Sequence, residues 1–423
     1  MKTASMFIKP ISQLSDNIIL RRSAELDEIK EKVGKILQYV KQHKDYALRE
    51  LTLKFDGVEI KDIEVSGTEI RHALKSVDKK LISHLRKAAS NIRAFHEAQR
   101  QNSWIKEVAP GLKLGQRITP LDSIGVYVPG GRASYPSTAL MTVIPAKVAG
   151  VEEVMMCTPP QERGKVDSVI LTAAHIAGVD RVFRVGGAQA IAAMAYGTET
   201  IPKVDKIVGP GNIYVTIAKM MCDIAIDFPA GPSEVLIIAD SSARADFIAS
   251  DMIAQAEHDP NAICILLTPS EELAKHVKKE IDAQLEEQPR KEIIKSSLDN
   301  AFILTGTMDE CIEFSNRFAP EHLEIMTEKD ILDRIKHAGS IFVGNYAPVS
   351  AGDYASGTNH VLPTSGYAKV FSGLGIDHFV KKSSVQIIDR KGLEGISKTI
   401  ITLAEAEGLH AHANAVRMRK LSC

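Results

Sequence analysis

The sequence is poor in cysteine, and its cysteines are not arranged as a framework. The 423 residues include five of them, Cys157, Cys222, Cys264, Cys311 and Cys423, which lie far apart and never form a Cys-x-x-Cys pair. An odd number at such spacing argues against a disulfide framework and against a zinc site built from thiolates. We therefore expect reduced cysteines, several of them small residues of the core.

Long hydrophobic runs and an excess of one charge are also missing. No apolar stretch approaches the roughly 20 residues that a helix needs to span a bilayer, and the first ten residues carry no cleavage signal. Lys and Arg number 52 against 53 Asp and Glu, a formal charge of −1 with no basic stripe. We expect a cytoplasmic protein that binds neither membranes nor nucleic acid.

Several common site motifs are absent as well. The chain has no Gly-x-Gly-x-x-Gly, no Gly-x4-Gly-Lys-Ser/Thr, no His-Glu-x-x-His, no Gly-x-Ser-x-Gly and no calcium-loop spacing of Asp and Asn. A nucleotide would therefore have to bind in an atypical manner.

The chain does contain a regular alternation of β-rich and helical segments. Its length is too great for one core, and its composition, 44% hydrophobic and 25% charged, is ordinary for globular domains. The first third has helical spacing. Beyond residue 123, strands are predicted at 124–128, 153–157, 181–185, 206–208, 235–239, 263–267, 302–304 and 340–343, with helices between them, including 137–148, 188–196, 243–256 and 270–285. This pattern predicts an α/β fold with mainly parallel sheets, in two doubly wound units that meet near residues 229–232.

Residues 352–364 gather more chemically useful side chains than any other segment. Asp353, Tyr354 and His360 lie among small residues, and Gly352 and Gly357 allow the backbone to bend. Polar groups on an irregular loop are a usual way for a rigid scaffold to present chemistry. We interpret this segment as a binding-site loop.

Two shorter segments could add ligands or bases. Gln255 and His258 are three residues apart at the end of a helical run that Pro260 stops, so they share a helix face, although a polar last turn explains them equally well. Glu321 and His322 are adjacent, before an apolar run. A carboxylate beside an imidazole offers two bases of different pKa, but an exposed strand start would have the same pattern.

Two further features have weaker interpretations. His410 and His412 lie on an amphipathic helical tail, where they point apart and where a histidine is more often solvated than a ligand. Glycine-rich turns at 125–131, 186–190 and 209–212 each follow a β-run and precede a helical one, which brings backbone N–H groups toward an anion. Three such turns favour a cofactor that carries phosphate.

In their order along the chain, these segments resemble the histidinol dehydrogenase family. The resemblance runs from about residue 18 to residue 419. It rests on Tyr127-Val128-Pro129-Gly130-Gly131, Gly187-Ala188-Gln189-Ala190, Gly209-Pro210-Gly211-Asn212, Ala230-Gly231-Pro232-Ser233-Glu234, the 255–258 segment, Pro320-Glu321-His322, the 352–364 loop and the tail from Glu407 to His412. Each motif alone is weak, but the ordered set is specific.

The resemblance implies an architecture. It is a domain-swapped homodimer of α/β subunits, each with two Rossmann-like doubly wound domains, a helical N-terminal segment and a C-terminal helical tail. The implied divisions are a helical arm at 1–24, a first Rossmann-like domain for substrate and zinc at 25–125 with 233–375, a second for NAD at 126–232, and the helical tail at 376–423.

The resemblance also implies a site. One Zn²⁺ per subunit is held by Gln255, His258, Asp353 and His412, the last of these from the partner subunit. The substrate contacts are Ser233, Gln255, His258, His322, Asp353, Tyr354, His360, Glu407 and His412, and the NAD contacts are Tyr127, Gln189 and Asn212. Glu321 and His322 are the catalytic pair. Oxygen and nitrogen ligands without thiolates suit a catalytic zinc that keeps room for substrate.

The implied reaction is the oxidation of L-histidinol to L-histidine in histidine biosynthesis, with two NAD reduced and L-histidinaldehyde held between the steps. His322 takes the alcohol proton and Glu321 activates the water that hydrates the aldehyde. Three alternatives remain: oxidation of another small alcohol such as a sulfonated diol, a zinc hydrolase with Glu321 as base, and a non-catalytic metabolite-binding protein. The glycine turns would have no purpose in the hydrolase.

Overall fold

The computed structural model describes residues 8–13, 26–130 and 134–421. Gly131 of the first glycine-rich turn, Cys423, and residues 1–7 and 14–24 of the predicted helical arm lie outside the described residues. The chain divides into two compact units, Met1–Gln99 with Asp122–His378, and Arg100–Leu121 with Phe379–Cys423.

Strands and helices alternate through most of the chain. The strands are β1 (Ile8–Pro10), β2 (Trp104–Ala109), β3 (Leu112–Pro120), β4 (Ser123–Tyr127), β5 (Glu153–Cys157), β6 (Arg181–Phe183), β7 (Lys206–Val208), β8 (Ala225–Ile226), β9 (Glu234–Ala239), β10 (Ile263–Thr268), β11 (Phe302–Thr305), β12 (His322–Met326), β13 (Ser340–Val343) and β14 (Val380–Ile388). The helices are α1 (Leu26–Asp56), α2 (Gly67–Ser76), α3 (Lys79–Ala98), α4 (Pro136–Ala149), α5 (Ser168–Ala177), α6 (Gly187–Tyr196), α7 (Ile213–Met221), α8 (Ala245–Ala256), α9 (Glu271–Leu285), α10 (Lys291–Leu298), α11 (Met308–Phe318), α12 (Val349–Tyr354), α13 (Arg390–Ala406) and α14 (His410–Leu421). Short 3-10 turns lie at Ile11–Gln13, Glu162–Gly164, Leu332–Arg334, Tyr367–Lys369 and Ile376–Phe379.

The larger sheet of the first unit is parallel and buried on both faces. Its strand order is β1-β11-β10-β9-β12-β13. Successive side chains of a strand point to opposite faces, so Val235 and Ile237 of β9 pack with α8 and α9 while Leu236 and Ile238 pack with α11. Every residue of β9 is buried, which explains its almost continuous apolar sequence.

The second sheet of the first unit is also parallel, in the order β6-β5-β4-β7-β8. Helix α1 packs against α6 and α7, and its Val33 and Leu37 share a buried cluster with Phe183 and Ile191. Helices α2 and α3 contact α5 and α4 in the same way. The helices of 26–98 therefore pack on this smaller sheet, whereas the expected division grouped 25–125 with residues 233–375.

The second unit differs from the expected helical tail. Residues 380–388, predicted to belong to the helical tail, form strand β14. This strand pairs antiparallel with β3 over its whole length, and β2 completes a three-stranded sheet. Only after Ile388 does the chain become helical, in α13 and α14. All six residues of β2 are exposed in this chain, and seven of the nine in β14. Without an alternation of buried and exposed positions, the apolar pattern gave no strand signal.

The mixed α/β class with parallel sheets is confirmed, and all eight predicted strands are present with small shifts of their ends. Two strands of the larger sheet were missed. Residues 8–10, inside the predicted helical arm, form β1, and residues 322–326 form β12. The four described cysteines are buried and unpaired within the described chain. Over the same residues, no helix is long and apolar enough to cross a membrane.

Candidate active site

The predicted catalytic pair lies at the edge of the larger sheet where its parallel strands begin. His322 is the first residue of β12, opposite Val235 of β9, and Glu321 immediately precedes it. Both side chains are buried, at 5% exposure each. This position excludes the simple explanation that the pair is an exposed strand start. It is also opposite to the edge at the strands' carboxyl ends, where ligands of such sheets usually bind.

The main chain of Glu234 orients both members of the pair. The Glu234 N–H donates to Oε2 of Glu321 at 2.7 Å, and the Glu234 carbonyl lies 3.0 Å from Nδ1 of His322. Since a carbonyl oxygen only accepts, Nδ1 carries a hydrogen and Nε2 is directed away from Glu234. Oε2 of Glu321 is 3.5 Å from Nδ1, so the carboxylate lies alongside the ring.

The other ring nitrogen of His322 faces Asp353. Nε2 lies 3.7 Å from Oδ1 of Asp353 and is buried without a hydrogen bond to any described residue. Burial alone would lower the pKa of His322, but the carboxylates of Glu321 and Asp353 outweigh it and raise the pKa to about 9. In the ligand-free protein, the imidazole is therefore cationic at neutral pH.

A second buried carboxylate ties the helix of Asp353 to the strand of His322. Glu324, two residues along the same face of β12, accepts the N–H of Val349 at 2.8 Å at the start of α12. Burial and the charge of Asp251 raise the pKa of Glu324 well above its usual value. Burial likewise raises the pKa of Asp251 to about 6.

His360 joins the same cluster through the loop that follows α12. Its Nδ1 lies 3.1 Å from the carbonyl of Asp353, and its Nε2 lies 3.4 Å from Oγ1 of Thr138 on α4. Burial lowers the pKa of His360, so this second imidazole is neutral at pH 7. Glu321, His322, Asp353 and His360 therefore form one continuous cluster, in which the first three are buried and His360 is half-buried.

The remaining predicted residues of the first unit differ in their burial. Gln255, near the end of α8, is 3% exposed, and its Nε2 has no hydrogen-bond partner in the described chain. His258 follows the end of that helix and is exposed. Ser233 is half-buried just before β9, and Tyr354 is 58% exposed. Burial and the Asp353 charge raise the pKa of Tyr354.

The predicted cofactor residues lie at the smaller sheet, after the carboxyl ends of its strands. The hydroxyl of Tyr127 accepts the N–H of Gly187 at 3.0 Å, and the buried side chain of Gln189 covers the same glycine, where an added Cβ would come within 2.7 Å of Oε1. Asn212 is exposed and caps α7 by accepting the N–H groups of Tyr214 and Val215.

The turn before Asn212 requires glycine for two reasons. Gly209 has a φ of +112°, and a Cβ there would lie 2.2 Å from the carbonyl oxygen of Tyr127. The turn thus packs directly on the strand that ends at Tyr127. All three predicted cofactor residues border strand-to-helix turns of this sheet, an arrangement suited to phosphate.

Glu407 and His412 belong to the second unit, where both are exposed. In the part of the chain that the structure describes, no group of three or more His, Cys, Asp or Glu side chains is arranged to hold a metal. The ligand set implied by the sequence supplies only two such side chains from the first unit, His258 and Asp353, together with the amide of Gln255.

Sequence reasoning missed some residues that shape the cluster. Thr138, the partner of His360, carried no signal beyond following a glycine-rich turn. Glu324 carried a usable sequence signal, because it is a lone carboxylate inside the apolar run that forms β12. A charge in such a run is rarely buried without a specific partner.

Comparisons with known proteins identify the family of the chain. The family model for histidinol dehydrogenase matches residues 19–420. The histidinol dehydrogenase of Methanosarcina mazei is 59% identical to the chain, over 98% of this chain and 98% of that relative. That of Methanocaldococcus jannaschii is 53% identical, over 98% of this chain and 99% of that relative. The crystal structure of the enzyme from Elizabethkingia anophelis superposes with a TM-score of 0.95 at 43% identity, covering 99% of this chain and 98% of that one.

Proposed function

The chain belongs to the histidinol dehydrogenase family, and from that premise we propose that it oxidises L-histidinol to L-histidine through bound L-histidinaldehyde, with zinc and two NAD per turnover. One observation carries the proposal: buried His322 lies between the carboxylates of Glu321 and Asp353, at 3.5 and 3.7 Å. An imidazole flanked in this way suits a reaction with repeated proton transfers.

The donor set fits a divalent metal, because Gln255 offers an amide oxygen, His258 a ring nitrogen and Asp353 a carboxylate. Nε2 of Gln255 and Nε2 of His322 are buried with no hydrogen bond to any described residue, which is costly unless a substrate supplies partners. We assign the zinc to Gln255, His258, Asp353 and the partner subunit's His412. Bound there, zinc would orient the substrate nitrogens and would neutralise one of the two charges that raise the pKa of His322.

His322 acts as the base of the first oxidation. Its Nδ1–H is held by the Glu234 carbonyl, so only Nε2 is directed toward the space beside Asp353. With one of the two flanking charges neutralised, the ring would be neutral and would take the proton of the alcohol at Nε2. NAD, when bound, would supply the hydride acceptor. Glu321 stabilises the resulting imidazolium from the Nδ1 side, because its Oε2 lies alongside that atom.

Glu321 serves the second oxidation. The Glu234 N–H fixes its Oε2, and burial excludes competing bulk water. Glu321 takes a proton from the water that adds to the aldehyde, while protonated His322 returns its proton to the aldehyde oxygen. The ring is then neutral and can act as base again when the hydrate loses its second hydride. Keeping the aldehyde in a closed site prevents loss of a reactive intermediate.

Two further groups of residues complete the proposed site. Ser233, Tyr354 and His360, with Glu407, would contact polar groups of the substrate. Tyr127, Gln189 and Asn212, which border the turns of the smaller sheet, would contact NAD, which accepts the hydrides. Because Glu407 and His412 are exposed on the second unit, they can be supplied by a neighbouring subunit of a domain-swapped homodimer.

The decisive experiment measures NADH formed per histidinol consumed, with the purified protein and added zinc. A ratio of two supports the complete route to the acid, since each oxidation releases one hydride. A ratio of one would mean that the product is the aldehyde. If no NADH forms, the proposed activity is wrong. A panel with other small alcohols tests the substrate.

The metal assignment needs its own measurement. The variant His412→Ala should lower the zinc bound per subunit, read by elemental analysis after dialysis, and His410→Ala is the matched control because that histidine is two residues away on the same helix. Full zinc content in His412→Ala would exclude His412 from the ligand set. Inactive single-site variants that regain activity when mixed would support a shared site.

A further inference from the structure

We propose that His96 and Asn359, deep beneath the 352–364 loop, are positioning residues that set the place of His360 for substrate. The inference rests on the proposed function, since His360 is a proposed substrate contact. Neither residue belongs to the catalytic pair, the proposed metal ligands or the proposed cofactor contacts. Both are buried, His96 at 0% and Asn359 at 6% exposure.

The side chain of Asn359 joins three separate parts of the first unit. Its Nδ2 donates to the carbonyl of Met141 on α4 at 2.7 Å and lies 3.4 Å from Nε2 of His96 on α3. Its Oδ1 accepts the N–H of Val361 at 2.9 Å. The two helices thereby fix the backbone on both sides of His360.

The ring of His96 has the protonation state that this network needs. Nδ1 lies 2.7 Å from the carbonyl of Ile92, so it carries a hydrogen, and Nε2 is left to accept from the Asn359 amide. Burial lowers the pKa of His96, against weaker opposing effects from the carbonyls of Ile92 and Leu374, which keeps the ring neutral. A protonated ring could not accept from Asn359.

Helix α3 supports the loop at a second place. Nδ2 of Asn91 donates to the carbonyl of Ala355 at 2.6 Å. The loop backbone approaches so closely that a Cβ on Gly357, whose φ is +109°, would lie 2.5 Å from the Asn91 carbonyl oxygen. The contacts at 355, 357 and 359 hold the loop between Asp353 and His360 against one helix.

The position of His360 depends on this support. Its ring has polar contacts only at the Asp353 carbonyl, 3.1 Å away, and Oγ1 of Thr138, 3.4 Å away, among the described residues. A shift of the backbone at 359–361 would carry the imidazole out of reach of both. Loss of this support should weaken the binding of substrate but not of NAD, because the proposed NAD contacts Tyr127, Gln189 and Asn212 lie on other turns.

The test compares His96→Phe, which keeps a ring but removes both nitrogens, with His96→Gln, whose amide oxygen can still accept from Asn359. For His96→Phe we expect the KM for histidinol to rise roughly tenfold, because a tenfold change corresponds to the free energy of about one hydrogen bond. The KM for NAD should stay within about twofold of the wild-type value. His96→Gln should restore part of the difference. His84→Phe is the matched control, because His84 is exposed on the same helix.

A second readout does not depend on turnover. Hydrogen exchange at the amide of Val361 should accelerate in His96→Phe and remain unchanged in the control. Equal increases in both KM values, or unchanged exchange at Val361, would overturn the proposal. If His96→Phe does not fold, the same two measurements on His96→Leu, which also lacks an acceptor for Asn359, decide it. Failure of the wild-type protein to oxidise histidinol would refute the proposed function and leave the exchange result to judge the loop support.

Discussion

The cluster around His322 and the turn before Asn212 use buried polar groups in opposite ways. In the cluster, Nε2 of His322 is buried with no hydrogen-bond partner in the described chain, and so is Nε2 of Gln255 near the end of α8. In the turn, the carboxylate of Asp227 accepts the N–H of Gly209 at 2.8 Å and that of Phe228 at 2.9 Å, and it pairs with Lys219. Lys219 also donates to the Gly209 carbonyl at 2.9 Å.

The difference separates architecture from function. Buried polar groups normally have hydrogen-bond partners, so the complete network at Asp227 is the one expected of a turn that only has to fold. An unsatisfied group costs stability and persists when a ligand completes it. The turn is therefore built by the chain alone, whereas under the proposed function the cluster is completed by substrate and metal. Substitutions should damage folding at the turn and chemistry at the cluster.

The largest expected effect is catalytic. Glu321→Gln keeps the size of the side chain and its acceptor for the Glu234 N–H, but it removes the base. We expect the step from aldehyde to acid to slow by about 10²–10⁴-fold, and the step from alcohol to aldehyde to change little. Single-turnover assays started from histidinol and from histidinaldehyde measure the two steps. Equal losses in both would show that Glu321 is not specific to hydration.

The next effect is on folding, at the turn. Lys219→Met leaves Asp227 buried without its cation, and breaking such a pair costs about 3–5 kcal/mol of unfolding free energy. Thermal or urea denaturation should show the loss, with activity per folded molecule retained at saturating NAD. Lys203→Met, at an exposed position for which no ion pair is found among the described residues, is the control. A stability loss as small as that of the control would contradict the assigned role of the buried pair.

The same contrast explains what the sequence could predict. Turns of the smaller sheet follow short apolar strands and contain glycines, so residues 125–130, 186–190 and 209–212 were placed correctly from local pattern alone. Strand β12 was missed because five residues beginning with histidine and containing a glutamate do not read as a buried strand. Its burial comes from pairing with β13 and with β9, and β9 is distant in sequence.

The cluster was predictable only as a list of residue types. The motifs indicated Glu321, His322, Asp353 and His360, yet nothing local showed that Glu234 would hold the first two or that His360 would bond to the Asp353 carbonyl. Such contacts join segments up to about a hundred residues apart. The antiparallel pairing of 380–388 with 112–120 was unpredictable for the same reason.

A smaller effect should appear in the pH dependence of stability. The pKa of His322 is raised from 6.5 in the unfolded chain to about 9 in the metal-free fold, so the folded state binds more protons between these values. The stabilisation is complete below about pH 6.5 and is lost as pH rises toward 9, at no more than about 1.4 kcal/mol per pH unit. His322→Gln should flatten that slope. An unchanged slope would show that His322 is not charged in the apoprotein.

The smallest expected effect is the sharpest test of the comparison. Gln255→Leu replaces a buried amide, whose Nε2 has no hydrogen bond in the described chain, by an apolar side chain of similar size. We expect the unfolding free energy of the metal-free protein to change by less than about 1 kcal/mol, or to rise, because no satisfied partner is lost. Zinc retention should nevertheless fall, which elemental analysis would detect. A loss of stability as large as that of Lys219→Met would mean that Gln255 is part of the architecture, and the distinction between the two regions would fail.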